Sequence, residues 1–386
     1  MTFGLPDTTD VVHEAAPAPV TKAVRLLLLP GDGIGREIMG VVSRCLACLG
    51  DVHGLQLSLD EHEVGLELWR RTRQTMPHDL AALVEANDGI VLGPLSTATY
   101  PPKTDGGINV SAHLRRSLDL FANIRPVRAD ANFSRVGIAF DLEIVRENSE
   151  GMLADRVMAF GNGEFMPTPD VALAVRKITV PGSRRIAEVA CRRALARRGQ
   201  LTVVHKANAL PVTDGLFLDV VREVVAAHPG IVLREVLVDA MAALLVRDPS
   251  QFDVVVTTNL FGDILSDEAA ELSGSIGLAP SLNEGRDNAM AQAVHGSGPE
   301  IANQDKANPT ALLLSVAMLL EWIADRRQDR DLHRAARALR RSIRRTLSDP
   351  ACRTVDVGGS LGTRAFGDAV AARLRRDETS DPDSPD

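Results

Sequence analysis

The stretch FDVVVTTNLFGDILSDEA, residues 252–269, combines an apolar run with two acidic residues and carries most of the information about the fold. The run FDVVVTTN predicts a buried strand, and the residues after it predict a helix that begins near the end of that strand. Asp263 and Asp267 are four residues apart, so on a helix both carboxylates lie on one face. There they would face the crevice in which α/β proteins bind ligands. Carboxylates of this kind suit Mg²⁺ or Mn²⁺, but the helix dipole also favours acids near a helix start, and the pattern fits both interpretations equally.

Strand and helix patterns alternate along the rest of the chain. AVRLLLLPGDGIG (residues 23–35) predicts a strand that ends in a glycine turn, and REIMGVVSRCLACL (36–49) predicts the following helix. NDGIVLGPL (87–95) and QLTVVHKAN (200–208) predict further buried strands. This alternation indicates an α/β fold with a substantial parallel sheet. Gly31, Gly33 and Gly35 are spaced G-x-G-x-G, not G-x-G-x-x-G, so a tight strand-to-helix turn explains them as well as a dinucleotide site does.

Composition excludes several classes of function. The chain has 386 residues, 45% of them hydrophobic, which is enough for about two domains with a sizeable core. A net charge of −8 argues against a nucleic-acid-binding protein that relies on a positive field. No apolar run approaches the roughly 20 residues that cross a bilayer, and residues 1–20 lack the pattern of a secretory signal, so we expect a cytoplasmic protein. Cys45 and Cys48 form a CxxC with no second pair to complete a zinc site, which indicates the apolar face of a helix.

Four basic residues stand at the ends of predicted elements. Arginines at such ends can clamp carboxylates through paired hydrogen bonds, and the candidates are Arg115, Arg125 and Arg146. Sequence spacing alone does not bring these three together, and a solvated arginine is the ordinary alternative. Lys206 ends the strand LTVVHK, where partial desolvation would lower its pKa and allow it to act as a base.

Several long motifs together resemble one enzyme family. VHKANALPVTDGLF, LVDAMAALLV, FDVVVTTNLFGDILSDEAAELSGSIGLAPS and VHGSGPEIANQDKANPTA occur in the order and spacing of the β-decarboxylating dehydrogenases. That family includes isocitrate, homoisocitrate, 3-isopropylmalate and tartrate dehydrogenases. PGDGIGREI and LRRSLDLFANIRP extend the resemblance over roughly residues 25–370. It implies two α/β domains with a cleft between them, and not a Rossmann fold. Residues 1–120 and 274–386 would form the large cofactor-binding domain, and residues 121–273 the small domain with the dimer interface.

The resemblance also implies roles for individual residues. Ser111 and the three arginines, Arg115, Arg125 and Arg146, would bind the carboxylates of a 2-hydroxy acid. Asp239, in LVDAMA, would join Asp263 and Asp267 as a metal ligand. Lys206 would act as the base with Asp239, and both would come from the other subunit, so that the active sites of a homodimer are shared. Neither nucleic acid nor membrane is an expected partner.

In the family, the segment that matches VHGSGPEIANQDKANP, residues 294–309, wraps the adenosine of the cofactor. A carboxylate at position 300 can accept hydrogen bonds from ribose hydroxyls and would repel a 2′-phosphate, so we predict NAD and not NADP. The cofactor-binding positions that the resemblance implies are His295, Gly296, Glu300, Ile301 and Asn308.

One position departs from the family. Its pattern R-E-N-[ST]-E-G-x-Y ends in the tyrosine that is expected to protonate the enol, whereas VRENSEGML places Leu153 there. Tyr100 is the only tyrosine in the chain. Water or Tyr100 could supply the proton, the substrate could need none, or the chain could be a non-catalytic or regulatory paralogue. Because the lysine, the arginines and the aspartates all remain, we predict an active enzyme.

The residues before Arg115 bear on the choice of substrate. Asn109, Ser111 and His113 are polar, and Lys103 precedes them. They favour an isocitrate- or homoisocitrate-like substituent over the isopropyl group of 3-isopropylmalate, with tartrate-like diacids also open. A solvated helix start explains the same polarity.

Overall fold

The computed structural model describes residues 23–154 and 163–377. Within these ranges twelve strands and twelve α-helices alternate along the chain. The strands are β1 (Val24–Leu29), β2 (Leu57–Glu61), β3 (Gly89–Leu92), β4 (Ala122–Ala129), β5 (Phe140–Glu147), β6 (Glu164–Thr168), β7 (Val171–Ala174), β8 (Gln200–His205), β9 (Val232–Leu237), β10 (Val254–Thr257), β11 (Leu282–Glu284) and β12 (Ala289–Gln292). The helices are α1 (Gly35–His53), α2 (Leu66–Thr72), α3 (Leu80–Glu85), α4 (Val110–Ser117), α5 (Gly151–Ala154), α6 (Val180–Leu195), α7 (Thr213–Ala226), α8 (Val238–Arg247), α9 (Asn259–Leu272), α10 (Thr310–Arg327), α11 (Arg330–Ser348) and α12 (Thr363–Asp377).

Ten of these strands form one sheet in the order β2-β1-β3-β12-β11-β4-β5-β10-β8-β9, and β6 and β7 form a separate hairpin. β2, β1, β3 and β12 are mutually parallel, as are β5, β10, β8 and β9. β11 and β4 lie between these blocks and pair antiparallel with each other and with their outer neighbours. The two parallel blocks therefore run in opposite directions, and the α/β prediction is confirmed.

The opening stretch folds as its pattern predicts. β10 is completely buried, Thr258 follows it, and α9 begins at Asn259. The interior of the strand is the run Val254–Val256, whose β-branched side chains suit a strand buried on both faces. Asp263 and Asp267 consequently lie one and two turns into α9.

Three buried hydrophobic clusters support the sheet. The largest joins α1, α6, α7, α10, α11 and α12 to the strands, the second lies under α8 and α9, and the third lies around α3 and α4. Cys45 and Cys48 belong to the largest cluster, and burial raises the pKa of Cys45 to about 12. The prediction that this CxxC is a core helix face is confirmed.

The predicted domain boundary falls inside the continuous sheet. The strands from β2 to β11 in sheet order come from the two terminal segments, and those from β4 to β9 come from residues 121–273. The division into two domains stays a prediction. No described helix has the length and apolar character that crossing a bilayer requires. Residues 1–20, on which the argument against a secretory signal rests, lie outside the described residues.

Candidate active site

Two of the predicted arginines meet the two aspartates of α9. β4 supplies Arg125 and β5 supplies Arg146, and both side chains are almost fully buried. Arg125 donates to Asp267 Oδ1 at 3.2 Å and to Asp263 Oδ1 at 3.3 Å, and Arg146 Nη1 also donates to Asp263 Oδ1. The sequence predicted each of these four residues separately, and the fold brings them into one cluster.

Neutral side chains hold the two guanidinium groups in place. Asn259 Oδ1 accepts from Arg146 Nη2 at 2.6 Å and from Nε at 3.1 Å. Asn123 accepts from Arg125 Nε at 2.5 Å, and Ser266 Oγ accepts from Arg125 Nη1 at 2.5 Å. Sequence reasoning missed these supports. Asn259 and Ser266 lie inside the motif at residues 252–269. Their polarity within an amphipathic helix was the only sequence feature that could have indicated this role.

Arg115 joins the cluster from α4 through a residue that the sequence did not indicate. Arg115 Nη2 donates to Gln292 Oε1 at 3.2 Å, and Ser111 Oγ donates to the same oxygen at 2.9 Å. Gln292 is the last residue of β12 and is 9% exposed. The Nε of Arg115 is buried and has no hydrogen-bond partner among the described residues. The side chain therefore has an unused donor.

The electrostatics of this cluster favour an anion. Burial and the neighbouring Arg125 lower the pKa of Arg115 to about 10, and the same two causes lower the pKa of Arg146 to about 9. Both groups stay protonated at neutral pH. Desolvation raises the pKa of Asp267, with a smaller contribution from the charge of Asp263. Three guanidinium groups face two carboxylates, so the cluster carries excess positive charge that a substrate carboxylate would neutralise.

Lys206 and Asp239 form a separate pair. Lys206 Nζ donates to Asp239 Oδ1 at 2.5 Å, and this hydrogen bond lowers the pKa of the exposed Asp239. Within residues 23–154 and 163–377, no group of three or more His, Cys, Asp and Glu side chains is arranged to hold a metal ion. One chain thus does not place Asp239 together with Asp263 and Asp267. A site shared between two subunits would need this arrangement, but the role of Asp239 stays a prediction.

The predicted cofactor segment packs on the glycine turn between β1 and α1. Gly31 and Gly33 have φ values of 76° and 57°, which glycine adopts readily. Ser297 O accepts from Ile34 N at 2.9 Å, and a Cβ on Gly33 would lie 2.0 Å from that oxygen. The tight-turn interpretation of the glycines therefore holds, and the turn also contacts the segment at Ser297.

His295 offers an unused polar atom in this segment. Its Nδ1 lies 3.0 Å from Gly296 O, to which it can only donate, so Nε2 of the neutral ring is an acceptor. That Nε2 is buried and lacks a partner among the described residues. Desolvation lowers the pKa of His295, which favours the neutral ring.

The other predicted cofactor positions differ in what their side chains offer. Glu300 is exposed, Ile301 packs partly against the largest core cluster, and Gly296 borders open space. The amide of Asn308 is already engaged, because Nδ2 donates to Asp356 and Oδ1 accepts from Thr310 N, both at 3.0 Å. Its second N–H and the second lone pair of Oδ1 remain available to a further partner.

The position of the missing tyrosine is occupied by an exposed aliphatic side chain. Leu153 on α5 is 41% exposed and has no proton to donate. Tyr100 Oη donates to Asp32 Oδ2 at 2.7 Å, and the same carboxylate accepts from Leu66 N and Ser96 N. Desolvation and the bond to Asp32 raise the pKa of Tyr100. Tyr100 is thus engaged and poorly acidic, which weakens it as a replacement proton donor.

The polar residues before Arg115 have mixed roles. Asn109 caps α4, since its side chain accepts from Ala112 N at 3.0 Å, so the helix-start interpretation accounts for this residue. His113 is half-buried, and desolvation followed by Arg116 and Lys103 lowers its pKa. Lys103 is exposed on a short 3₁₀ helix.

A groove of about 810 Å³ lies elsewhere on the molecule and is lined by none of the clustered site residues. Acids pair two of the arginines that line it: Arg193 binds Glu143 through two bonds of 2.5 and 2.6 Å, and Arg340 binds Glu321 through two of 2.6 Å. Volume alone does not make this groove a better candidate than the arginine–aspartate cluster.

Comparison with known proteins agrees with this geometry. The family model for isocitrate/isopropylmalate dehydrogenase matches residues 25–370. The chain belongs to this family. It is 39% identical over 355 residues to the isocitrate/homoisocitrate dehydrogenase of Thermus thermophilus. The aligned region covers 92% of this chain and 99% of that relative. It is 38% identical over 346 residues to the 3-isopropylmalate dehydrogenase of Saccharolobus solfataricus, covering 90% of this chain and 98% of the relative.

A solved structure extends the match to three dimensions. The isocitrate dehydrogenase of Methylococcus capsulatus is 35% identical and superposes with a TM-score of 0.79, covering 91% of this chain and 99% of that chain. The family resemblance predicted from the motifs is confirmed, together with the isocitrate/isopropylmalate dehydrogenase fold. Family members oxidise and decarboxylate hydroxy acids. The two relatives carry the names of different acids, so family membership leaves the substrate open.

Proposed function

We propose that this chain catalyses the NAD- and metal-dependent oxidative decarboxylation of a 2-hydroxy di- or tricarboxylic acid, isocitrate- or homoisocitrate-like. The observation that carries this proposal is the state of Arg115. It faces the cluster, pairs with no carboxylate of the described residues, and keeps a buried Nε without a partner. A substrate carboxylate would supply the missing negative charge.

The donor chemistry fits a hard divalent cation. Asp263 and Asp267 lie on one face of α9 with side chains 42% and 55% exposed, so oxygens remain accessible beside Arg125 and Arg146. Asp239 of the other subunit would provide the third carboxylate. Mg²⁺ or Mn²⁺ held there would lower the pKa of the substrate hydroxyl.

This chain's own residues would then bind the substrate and move the proton. Arg125 and Arg146 are fixed by Asn123, Ser266 and Asn259, so they orient carboxylates at little entropic cost. Lys206, in its neutral form, would accept the hydroxyl proton, and its hydrogen bond to Asp239 would position the amine.

The cofactor segment fits NAD. The unpartnered Nε2 of His295 would accept from the amino group of adenine once the segment opens to admit the cofactor, and the exposed Glu300 would accept from ribose hydroxyls. Its negative charge would repel a 2′-phosphate. A preference for NADP of about 20-fold or more, equivalent to about 2 kcal/mol, would contradict this assignment.

We further propose a homodimer with shared active sites and no nucleic-acid or membrane partner. The β6–β7 hairpin exposes large apolar side chains, including Phe165 at 53%, Met166 at 61% and Leu173 at 47%. Exposed apolar surface of this kind indicates a protein–protein interface. It belongs to residues 121–273, where the dimer interface is expected.

Steady-state kinetics would test the proposal. Purified protein with Mg²⁺ and either NAD or NADP would be assayed with isocitrate, homoisocitrate, 3-isopropylmalate and tartrate. We expect the highest kcat/KM with NAD and one of the first two acids. Arg115→Met should raise KM for that acid at least tenfold, because a charge-assisted contact contributes about 1.5–3 kcal/mol. The highest rate with 3-isopropylmalate would refute the substrate assignment.

Leu153 favours a second candidate, a non-catalytic or regulatory paralogue. Neither Leu153 nor the engaged Tyr100 is a good acid, and a positioned acid contributes about 10²–10⁴ in rate. The variant Leu153→Tyr separates the two candidates. If the wild type is a slow enzyme, the variant should be faster. No turnover by either protein, together with no metal-dependent NAD binding by calorimetry, would favour the paralogue.

A further inference from the structure

Arg176 is a largely buried cation with no role in the proposed chemistry. It lies between β7 and α6, and its side chain is 10% exposed. One end of its guanidinium group, Nη1, is 2.6 Å from Asp214 Oδ1, and the other, Nη2, donates to Thr258 Oγ1 at 3.0 Å. The group also lies over the ring of Phe261, 5.2 Å from its centre. It thus connects two segments that are distant in sequence.

The first segment carries Lys206. Asp214, in the first turn of α7, is fully buried, and its Oδ2 accepts from Lys206 N at 2.6 Å. Lys206 O accepts from Ala209 N and Leu210 N at 2.9 and 2.8 Å. The main chain of Lys206 is therefore held at both its N–H and its C=O, and the Asp214 carboxylate joins this turn to Arg176.

The second segment is the start of α9. Thr258 immediately precedes this helix and is 2% exposed, and its carbonyl accepts from Gly262 N at 2.9 Å. The next residue, Asn259, holds Arg146, and Asp263 follows one turn later. A displacement of Thr258 would therefore move the helix that carries the proposed metal carboxylates.

We propose that Arg176 is a positioning residue that couples the Lys206 turn to α9. The guanidinium group is rigid and planar, so its two ends move together. In the proposed homodimer, Lys206 belongs to the active site of the other subunit and α9 belongs to the active site of its own subunit. Arg176 would then couple two active sites. This last step rests on the proposed function. The simpler alternative is that Arg176 only neutralises the buried Asp214, which would make the Thr258 contact dispensable.

The variant Thr258→Val separates these two possibilities. Valine keeps the shape of threonine and removes only the acceptor for Arg176 Nη2, so the ion pair with Asp214 remains. The hydroxyl of Thr258 makes no capping hydrogen bond to α9, so the helix start is preserved. Thr258→Ser retains the hydroxyl and serves as the matched control.

Hydrogen–deuterium exchange of the full-length protein, followed by mass spectrometry, gives a readout that needs no turnover. With Thr258→Val we expect exchange to rise at least threefold in residues 206–213 and also at the start of α9. Thr258→Ser should match the wild type. A rise confined to residues 258–267 would overturn the proposal. If Thr258→Val does not fold, Arg176→Lys replaces it, because one ammonium group can keep the charge beside Asp214 without spanning to Thr258.

Steady-state kinetics then connects the coupling to function. We expect Thr258→Val to lower kcat about tenfold, since a misplaced base slows the proton transfer, while KM for the hydroxy acid changes less. Unchanged kcat beside altered exchange would overturn the functional part. A wild-type protein without turnover would instead refute the proposed function, and the exchange result would still decide the role of Arg176.

Discussion

At the scale of single residues, Gln292 shows how a side chain outside every motif can organise a site. Its Oε1 accepts from both Ser111 and Arg115. We predict that Gln292→Leu raises KM for the hydroxy acid about tenfold, because Arg115 loses the acceptor that orients it. kcat should change less, since the proposed base and the proposed metal carboxylates are untouched.

Gln292→Glu should also raise KM, because its carboxylate would accept the same two hydrogen bonds but would neutralise Arg115, the charge that the proposed substrate needs. A wild-type KM for Gln292→Leu would contradict the positioning explanation.

His295 gives a prediction about pH. Desolvation lowers its pKa, so the ring stays neutral until the pH falls below the ordinary value of about 6.5. A neutral Nε2 is needed to accept from adenine. The dissociation constant for NAD, measured by calorimetry, should therefore be flat from pH 8 to about 6.5 and should rise at lower pH.

His295→Gln should bind NAD without this rise, because its amide offers an acceptor and does not titrate. Weakening of the wild type that begins above pH 7 would indicate another titrating group.

At the scale of elements, α9 approaches β5 closely because residue 262 has no side chain. A Cβ on Gly262 would lie 2.6 Å from Arg146 Cγ and 2.7 Å from its Cβ. Gly262→Ala should displace Arg146 from Asn259 and Asp263. Overpacking of this kind costs about 1–3 kcal/mol, so we expect a lower melting temperature and a KM for the hydroxy acid about tenfold higher.

The control for this substitution is Gly40→Ala in α1, where the nearest atom to the added Cβ, Arg44 Nη1, is 3.8 Å away. Alanine should stabilise that helix by about 0.5–1 kcal/mol and leave the kinetics unchanged. A Gly262→Ala variant with normal KM would show that Arg146 can shift without loss of function.

At the scale of the whole molecule, subunit mixing tests the shared active site. Lys206→Met and Asp263→Asn homodimers should both be inactive. Co-assembly in equal amounts gives half heterodimers, each with one intact site, so we expect about one quarter of the wild-type activity.

The control mixes Lys206→Met with Asp239→Asn. This mixture should recover no activity, because one subunit supplies both residues to each proposed site. If neither mixture recovers activity, each chain completes its own site.

The sequence predicted those site residues that stand inside long motifs. Asp263, Asp267, Arg125 and Arg146 were found because strand ends, helix faces and family spacing mark them. Gln292 and Arg176 were missed, since their partners lie far away in the chain and no periodicity relates them. For Asn109 the sequence left the substrate pocket and a helix start equally open, and the structure shows that its side chain caps α4.

By itself the sequence determined the α/β class, the family and the identity of the charged groups, because these depend on local periodicity and on motifs read along the chain. The tertiary structure alone decided which charges neutralise one another. It placed two carboxylates against two arginines, left Arg115 with an unused donor, and kept Lys206 and Asp239 apart from them. Those pairings depend on distances between strands that the chain connects only through long crossovers, so no local pattern encodes them.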